Sequence, residues 1–337
     1  MQINEKILPV NSSLPASFGD TRQVCLMDIE TTGLARKNAR IAYAGCAYLA
    51  KGQWTARQWL AESKEEEPWI LADYLEFLSQ WPVLVHFNGT SFDLPCLRRR
   101  CGLYDIPCPL DGKENLDLYR LLKPLRRIFP LERSSQRALE TLLGQMRQPD
   151  DNDLTMLPHL LPLLAYTALG RELESVQDCR LLSDEDGGKL QLDLGLYDTL
   201  PLGFSCPCGA FYLKAEGKRL SLLIYGRQAT LKYFMDDYKN YYYLPDEDMA
   251  VHKSVAAFAG KGSRVPAKKA TCYIKKEGLF LPQKDPLFVP VFRESYESRG
   301  LWFFADSLSL SDKAALLAYA RSLLSDFPSK GDTLWPC

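Results

Sequence analysis

The segment Asp28-Ile29-Glu30-Thr31-Thr32-Gly33 closes the apolar run Val24-Cys25-Leu26-Met27, and it constrains the chain more than any other stretch. Side chains alternate along a strand, so two carboxylates separated by one residue project to the same side. Two anions held side by side cost free energy unless a cation lies between them. Thr31-Thr32-Gly33 then supplies a turn, with Gly33 free to take positive φ. Paired acids at the end of an apolar strand read as a divalent-metal site on a sheet edge.

A second constellation follows the apolar strand Leu84-Val85-His86-Phe87. Asn88-Gly89 makes a turn, and Asp93 falls in the first turn of the next helix. Two readings of Asp93 stay open. Thr90-Ser91-Phe92-Asp93 fits a capping box, which makes Asp93 a cap of its own helix; alternatively Asp93 joins Asp28 and Glu30 at the metal. Asp117 likewise reads either as the N-cap of a helix over Leu118–Phe129 or as a group behind the metal ligands.

The chain of 337 residues is long for one domain and suggests two. Residues 23–60 read as three strands, Val24–Met27, Ile41–Leu49 and Trp54–Leu60. A helix over Trp69–Leu78, a strand over Val83–Phe87 and helices from Ser91, over Leu116–Phe129 and over Ser135–Leu143 complete a mixed α/β pattern. Ser183-Asp184-Glu185-Asp186-Gly187-Gly188 reads as a linker. Beyond it short strands dominate (Phe211–Leu213, Leu220–Tyr225, Thr230–Phe234, Thr271–Ile274, Leu279–Leu281), and Ser311–Leu324 is an amphipathic helix. The expectation is an α/β domain over residues 1–180 and a β-rich α+β accessory domain over 185–337.

Hydrophobic residues make up 46% of the chain and mean hydropathy is −0.20, so it can bury sizeable cores. No run approaches the roughly 18 apolar residues of a membrane span. Met1 to Asp20 lacks the features of a signal peptide, so a cytoplasmic protein without membrane contact is expected. Cys25, Cys46 and Cys96 sit in apolar runs, as reduced buried cysteines do, and Cys206-Pro207-Cys208 lacks the second ligand pair of a zinc site. The net charge of −1 gives no global attraction for nucleic acid. Locally, Arg120, Lys123, Arg126, Arg127, Arg133 and Arg137 form either a solvated helix face or a basic rim. Lys232 to Tyr243 interleaves aromatics with lysines, which suits a hairpin core or stacking on single-stranded bases.

The motifs Asp28-Ile29-Glu30-Thr31-Thr32-Gly33 and Asn88-Gly89-Thr90-Ser91-Phe92-Asp93 resemble the first two motifs of the DEDD 3′–5′ exonuclease superfamily, and most nearly its YprB-like group. Leu116-Asp117-Leu118-Tyr119, Arg126-Arg127 and Leu142-Leu143-Gly144 continue that likeness over roughly residues 24–164. The resemblance implies a ribonuclease H-like mixed sheet with flanking helices. It also implies two ions, Mg²⁺ or Mn²⁺, bridging four carboxylates and the scissile phosphate. Asp28, Glu30 and Asp93 match the first three carboxylates. Asp153 is the candidate for the fourth, sharing a helix face with Leu157, Leu160 and Leu164 that would aim it inward, or else capping that helix. Asp150 and Asp151 read as caps, and Pro149 stands where the family carries a water-positioning histidine. His86, His159 and His252 read as structural. Thr31, Asn88, Arg126 and Arg127 fall on the substrate side, and the implied partner is nucleic acid, single-stranded or at its 3′ ends. The irregular fourth motif keeps open a catalytically degenerate binding or scaffold protein on the same fold, and a phosphodiesterase for short oligonucleotides is a third reading.

Overall fold

The computed structural model describes residues 1–33, 39–184, 187–256 and 264–328, with only the backbone of Ser183 and Asp184. Two compact units are present, one of Met1–Ala168 with Asp198–Leu202 and one of Leu169–Tyr197 with Gly203–Cys337.

The first unit is built on one sheet of six strands. In chain order its elements are β1 (Gln2–Ile7), β2 (Val24–Thr31), β3 (Ile41–Ala50), β4 (Gln53–Leu60), α1 (Glu67–Ser79), β5 (Val83–His86), α2 (Asp93–Tyr104), β6 (Glu114–Asp117), α3 (Leu118–Leu122), α4 (Gln136–Leu142), α5 (Asp153–Leu160) and α6 (Leu164–Thr167). The strand order is β1-β4-β3-β2-β5-β6. β1, β4, β3 and β2 pair antiparallel, whereas β2, β5 and β6 are parallel, as crossovers through α1 and α2 require. The pairing of β2 with β5 stops at Leu26, so the rest of β2 runs on without a strand on that side. β2 is longer than its apolar run predicts, and Asp28 and Glu30 lie inside it rather than after it.

One face of the sheet packs against α1 and α2. Ile70, Leu71, Tyr74, Leu75 and Leu78 of α1 meet Cys25, Met27, Cys46 and Leu84 in a common core. Trp59 is fully buried there, edge-on to Tyr74 at 5.3 Å between ring centroids, with its indole N–H bonded to Asp73. Cys25, Cys46 and Cys96 are buried free thiols, as their apolar settings predict.

Two expectations fail here for local reasons. The basic segment is not one helix over 116–129. Leu116 belongs to β6, α3 ends at Leu122, and Pro124 turns the chain into 3₁₀ geometry over Lys123–Arg127. β1 went unforeseen because its residues are mostly exposed and it reaches the sheet only as an edge strand.

The second unit contains β7 (Leu173–Asp184), β8 (Gly187–Cys208), β9 (Phe211–Tyr225), β10 (Arg227–Phe234), β11 (Tyr241–Leu244), β12 (Met249–His252), β13 (Val265–Pro266), β14 (Tyr273–Gln283), β15 (Leu301–Phe304) and α7 (Lys313–Leu324). Residues Asp198–Leu202 of β8 group with the first unit. The strands form three sheets, β7-β8-β9, β10-β14-β15 and β12-β11-β13. Ser183 to Gly188 is a hairpin end rather than a linker, since Ser183 pairs with Gly188 and Asp184 with Gly187; Glu185 and Asp186 lie outside the described residues. Short strands separated by expected turns run together: β9 passes Gly217 at φ 58° and β14 passes Gly278 at φ 146°. Aromatics of the Lys232–Tyr243 stretch pack internally, Tyr233 on Phe292 and Phe234 on Tyr273. Among the described residues no helix is long and apolar enough to cross a membrane.

Burial separates two tryptophans cleanly. Trp59→Ala should cost about 3–5 kcal/mol in urea denaturation, because it empties the centre of the core. Trp69 is 70% exposed on α1, and Trp69→Ala should change stability by no more than about 0.5 kcal/mol in the same measurement.

Candidate active site

Asp28 and Glu30 are placed by the register of β2 on β3. Asp28 lies opposite Gly45 and Glu30 opposite Tyr43, and directly opposed residues share a face. That face meets the first turn of α5. A Cβ on residue 45 would come within 2.5 Å of Leu154 Cδ2 and 2.6 Å of Tyr43 Oη, so glycine is what lets both lie beside Asp28. Tyr43 Oη accepts a hydrogen bond from Asn152 Nδ2 at 3.0 Å. Asn152 is the cap of α5: its side chain accepts the Thr155 N–H at 3.0 Å, and the Thr155 hydroxyl accepts the Asn152 N–H at 3.1 Å. Capping therefore falls neither to Asp150 nor to Asp153, and Asp151 instead accepts the Gln148 N–H at 2.7 Å.

Asp93 reaches the same place from the opposite flank. Asn88 takes φ 64°, and a Cβ on Gly89 would sit 2.6 Å from His86 Cγ and 2.8 Å from Asp93 Oδ2. The turn can close only with glycine there, which brings Asp93 to the start of α2. Phe92 holds the cap position without a side-chain bond, so the expected capping box does not form, and Asp93 is buried instead. Asp117 settles as a cap: it accepts the Tyr119 N–H at 3.1 Å and also the Asn88 N–H at 2.9 Å, tying the Asp93 turn to α3. His86 Nδ1 accepts the Gly89 N–H at 3.1 Å, and burial lowers its pKa, so this histidine is a neutral part of the turn.

The electrostatics reports the crowding. Burial, then the charges of Asp93, Asp153 and Glu30, hold the Asp28 carboxyl well above the ordinary aspartate range. Asp93 is pushed up to about 7, first by burial and then by the charge of Asp117. The Ile29 amide acts on both Asp28 and Asp93 and favours their ionised forms. Tyr43 is raised by burial, and its two acidic neighbours push the same way, so its phenol keeps its proton. No motif pointed to Tyr43, which sat within a strand read only as aromatic and apolar. Its position opposite Glu30 becomes legible only once the strands are paired.

Asp153 departs from its expected orientation. It opens α5, but its side chain is 56% exposed and lies 2.7 Å from the Arg147 guanidinium. The same guanidinium binds Glu140 at 2.8 and 2.7 Å. At the first turn a side chain is not yet committed to the apolar stripe of Leu157 and Leu160, and an arginine is a better neighbour for it than three carboxylates. The remaining candidates are dispersed. Thr31 donates to the Gly33 carbonyl at 2.9 Å, and Asn88 is exposed. Arg126 and Arg127 are exposed on the 3₁₀ turn after α3, with Arg126 bonded to the Leu131 carbonyl at 3.3 Å.

Carboxylate oxygens are the hard donors that Mg²⁺ or Mn²⁺ takes, and a dication among them would offset the burial and the neighbouring charges that raise Asp28. In donor chemistry the set fits such an ion. In spacing it is open: among the described residues no three acidic, histidine or cysteine side chains close on a common point. Coordination by Asp153 requires it to exchange Arg147 for the ion.

Residues 25–160 match the RNase_H superfamily, and the first unit has a ribonuclease H-like fold, a mixed sheet between helices. Three solved structures of exonuclease I overlap the chain. One is a complex with the inhibitor BCBP (10% identity, TM-score 0.33, 51% of this chain and 55% of that chain). The E. coli enzyme with a dT13 oligonucleotide overlaps at 9% identity and TM-score 0.35 (51% and 54%). With a dA16 oligonucleotide it overlaps at 10% identity and TM-score 0.34 (91% and 71%). In the first two the overlap spans just over half of the exonuclease chain. Overlap this weak says nothing about activity. No curated protein matches the chain in sequence.

The raised pKa of Asp93 has a defined consequence for stability. Its folded value of about 7 exceeds the ordinary 3.8, so the protonated group favours the fold. That contribution is complete below pH ~4 and is lost as pH rises through about 7. In metal-free buffer, Asp93→Asn should remove up to about 1.4 kcal/mol per pH unit of stability loss across that window. Urea melts of both proteins at pH 5 and pH 8 check this, the variant losing less stability between them.

Proposed function

We propose that the first unit is a metal-dependent nuclease, acting as a 3′–5′ exonuclease on single-stranded nucleic acid, with Asp28, Glu30, Asp93 and Asp153 as its metal-binding acids. The observation that supports this reading is that Asp28 on β2 is partly buried within electrostatic reach of Asp93 on α2, Asp153 on α5 and Glu30. Such an arrangement destabilises a protein with no use for a cation. Mg²⁺ or Mn²⁺, as the proposed pair of ions, supplies the Lewis acidity that generates hydroxide and stabilises a leaving oxygen.

The chain's own residues do the rest. Asp28 and Asp93 are the inner, partly or fully buried donors, and Glu30 is the exposed one nearest solvent. Tyr43 holds a protonated hydroxyl on the face of Asp28 and Glu30, where it can orient a water molecule or a phosphate oxygen. It occupies the role left empty at Pro149. Arg126 and Arg127 give exposed positive charge for a phosphate backbone.

A second reading rests on the Arg147–Asp153 ion pair, which gives the fourth acid a resident cation. On that reading the unit binds nucleic acid without cutting it. Incubating 5′-labelled single-stranded DNA and RNA with Mg²⁺ or Mn²⁺ separates the two. The nuclease reading expects metal-dependent ladders shortening from the 3′ end. Asp28→Asn should reduce the rate by at least about 100-fold and Tyr43→Phe by about tenfold. Retained binding with no cleavage of either polymer would establish the second reading.

A further inference from the structure

The second unit carries a cavity of about 440 Å³ that no part of the nuclease site uses. We infer that this cavity binds a base and its phosphate from a single-stranded nucleic acid, a reading that rests on the proposed nucleic-acid substrate and adds a contact outside the first unit.

Its walls come from three strands. Tyr225 ends β9, Arg227 opens β10 and Trp302 lies on β15. Tyr225 is 39% exposed, so its ring is open to a ligand in the cavity. Arg227 makes two contacts: its guanidinium carbon lies 5.6 Å from the Trp302 ring centroid, and its Nη1 lies 2.6 Å from Glu294 Oε1. An arginine laid against an indole presents a planar cationic surface, and the exposed Glu294 pair adds little to holding it there. Arg299, also lining the cavity, is exposed and has no ion pair or hydrogen bond among the described residues.

Flat aromatic walls, one stacked arginine and one uncommitted arginine against a single glutamate make a distinct recognition surface. A purely apolar ligand would leave Arg299 without a partner, and a simple anion would leave the Tyr225 ring uncovered. A nucleotide uses both: the base lies against Tyr225 or Trp302, and the phosphate meets Arg299. The volume falls within the roughly 300–1,000 Å³ of ordinary ligand pockets.

The test is fluorescence anisotropy of 5′-fluorescein-dT12 with the full chain in EDTA, where cleavage cannot intervene. Trp302→Leu should weaken binding by about 5- to 100-fold, the range for losing one base–aromatic stack. Arg299→Glu, an exposed and unpartnered position that leaves folding intact, should weaken it by about tenfold. A 4-thiothymidine in the oligonucleotide should cross-link to peptides containing Tyr225 or Trp302. Binding by Arg299→Glu and Trp302→Leu within twofold of wild type, or cross-links confined to the first unit, would overturn the inference. These outcomes are independent of the nuclease reading. Metal-dependent cleavage with unaffected variant binding removes the pocket and keeps the nuclease; pocket-dependent binding with no cleavage does the reverse.

Discussion

Burial of two aspartates beside further acids is the constraint around which the first unit is arranged. Asp28 is partly buried and Asp93 is buried, and each keeps its proton far above the ordinary aspartate range. Nothing in an apolar core calls for this. It results from two glycines that let elements approach more closely than any other residue allows. Gly45 admits Leu154 and Tyr43 to the face of Asp28, and Gly89 folds the turn that delivers Asp93. The rest of the unit supports these approaches. The parallel pairing of β2, β5 and β6 sets the turn after β5 beside the unpaired end of β2, and Asp117 fastens that turn by accepting the Asn88 amide.

Arg147 is the counterweight. It satisfies the buried Glu140 and holds Asp153 at a distance from which its charge still reaches Asp28. A fully buried glutamate without a partner would be costly, so the Arg147–Glu140 bond is a structural necessity in its own right. Asp153 shares that guanidinium from a half-exposed position, where an ion pair contributes little and yields easily to a stronger partner. Asp153 is therefore held loosely, whereas Asp28 and Asp93 are placed by the strand and the turn that carry them.

The sequence showed most of the sheet, and it placed Asp28 and Glu30 on one strand face and Asp93 at a helix start, because those features are local. Apolar runs mark β2 and β5, and the acids lie within two or three residues of turn signals. Glu30 and Asp28 needed only strand alternation to be placed on one face. The failures are of a different kind. Asp153 was read from helical periodicity, which says where a side chain points along a helix but not at its first turn, and it gave no sign of Arg147 six residues away. Tyr43 was invisible because its place beside the acids follows from cross-strand register with Glu30. The basic segment read as a long helix until Pro124 was allowed its effect. In the second unit, Gly217 and Gly278 looked like turns but are positive-φ steps within continuous strands. Glycine licenses both, and only pairing with neighbouring strands decides between them.

The central claim is that the carboxylates around Asp28 are arranged for a divalent cation. Calorimetric titration of the whole chain with Mn²⁺ at pH 8, beside Asp28→Asn, tests it without reference to any reaction. The account predicts saturable binding to the wild type and loss of that binding in the variant. Equal binding by both proteins, or none by either, would contradict it.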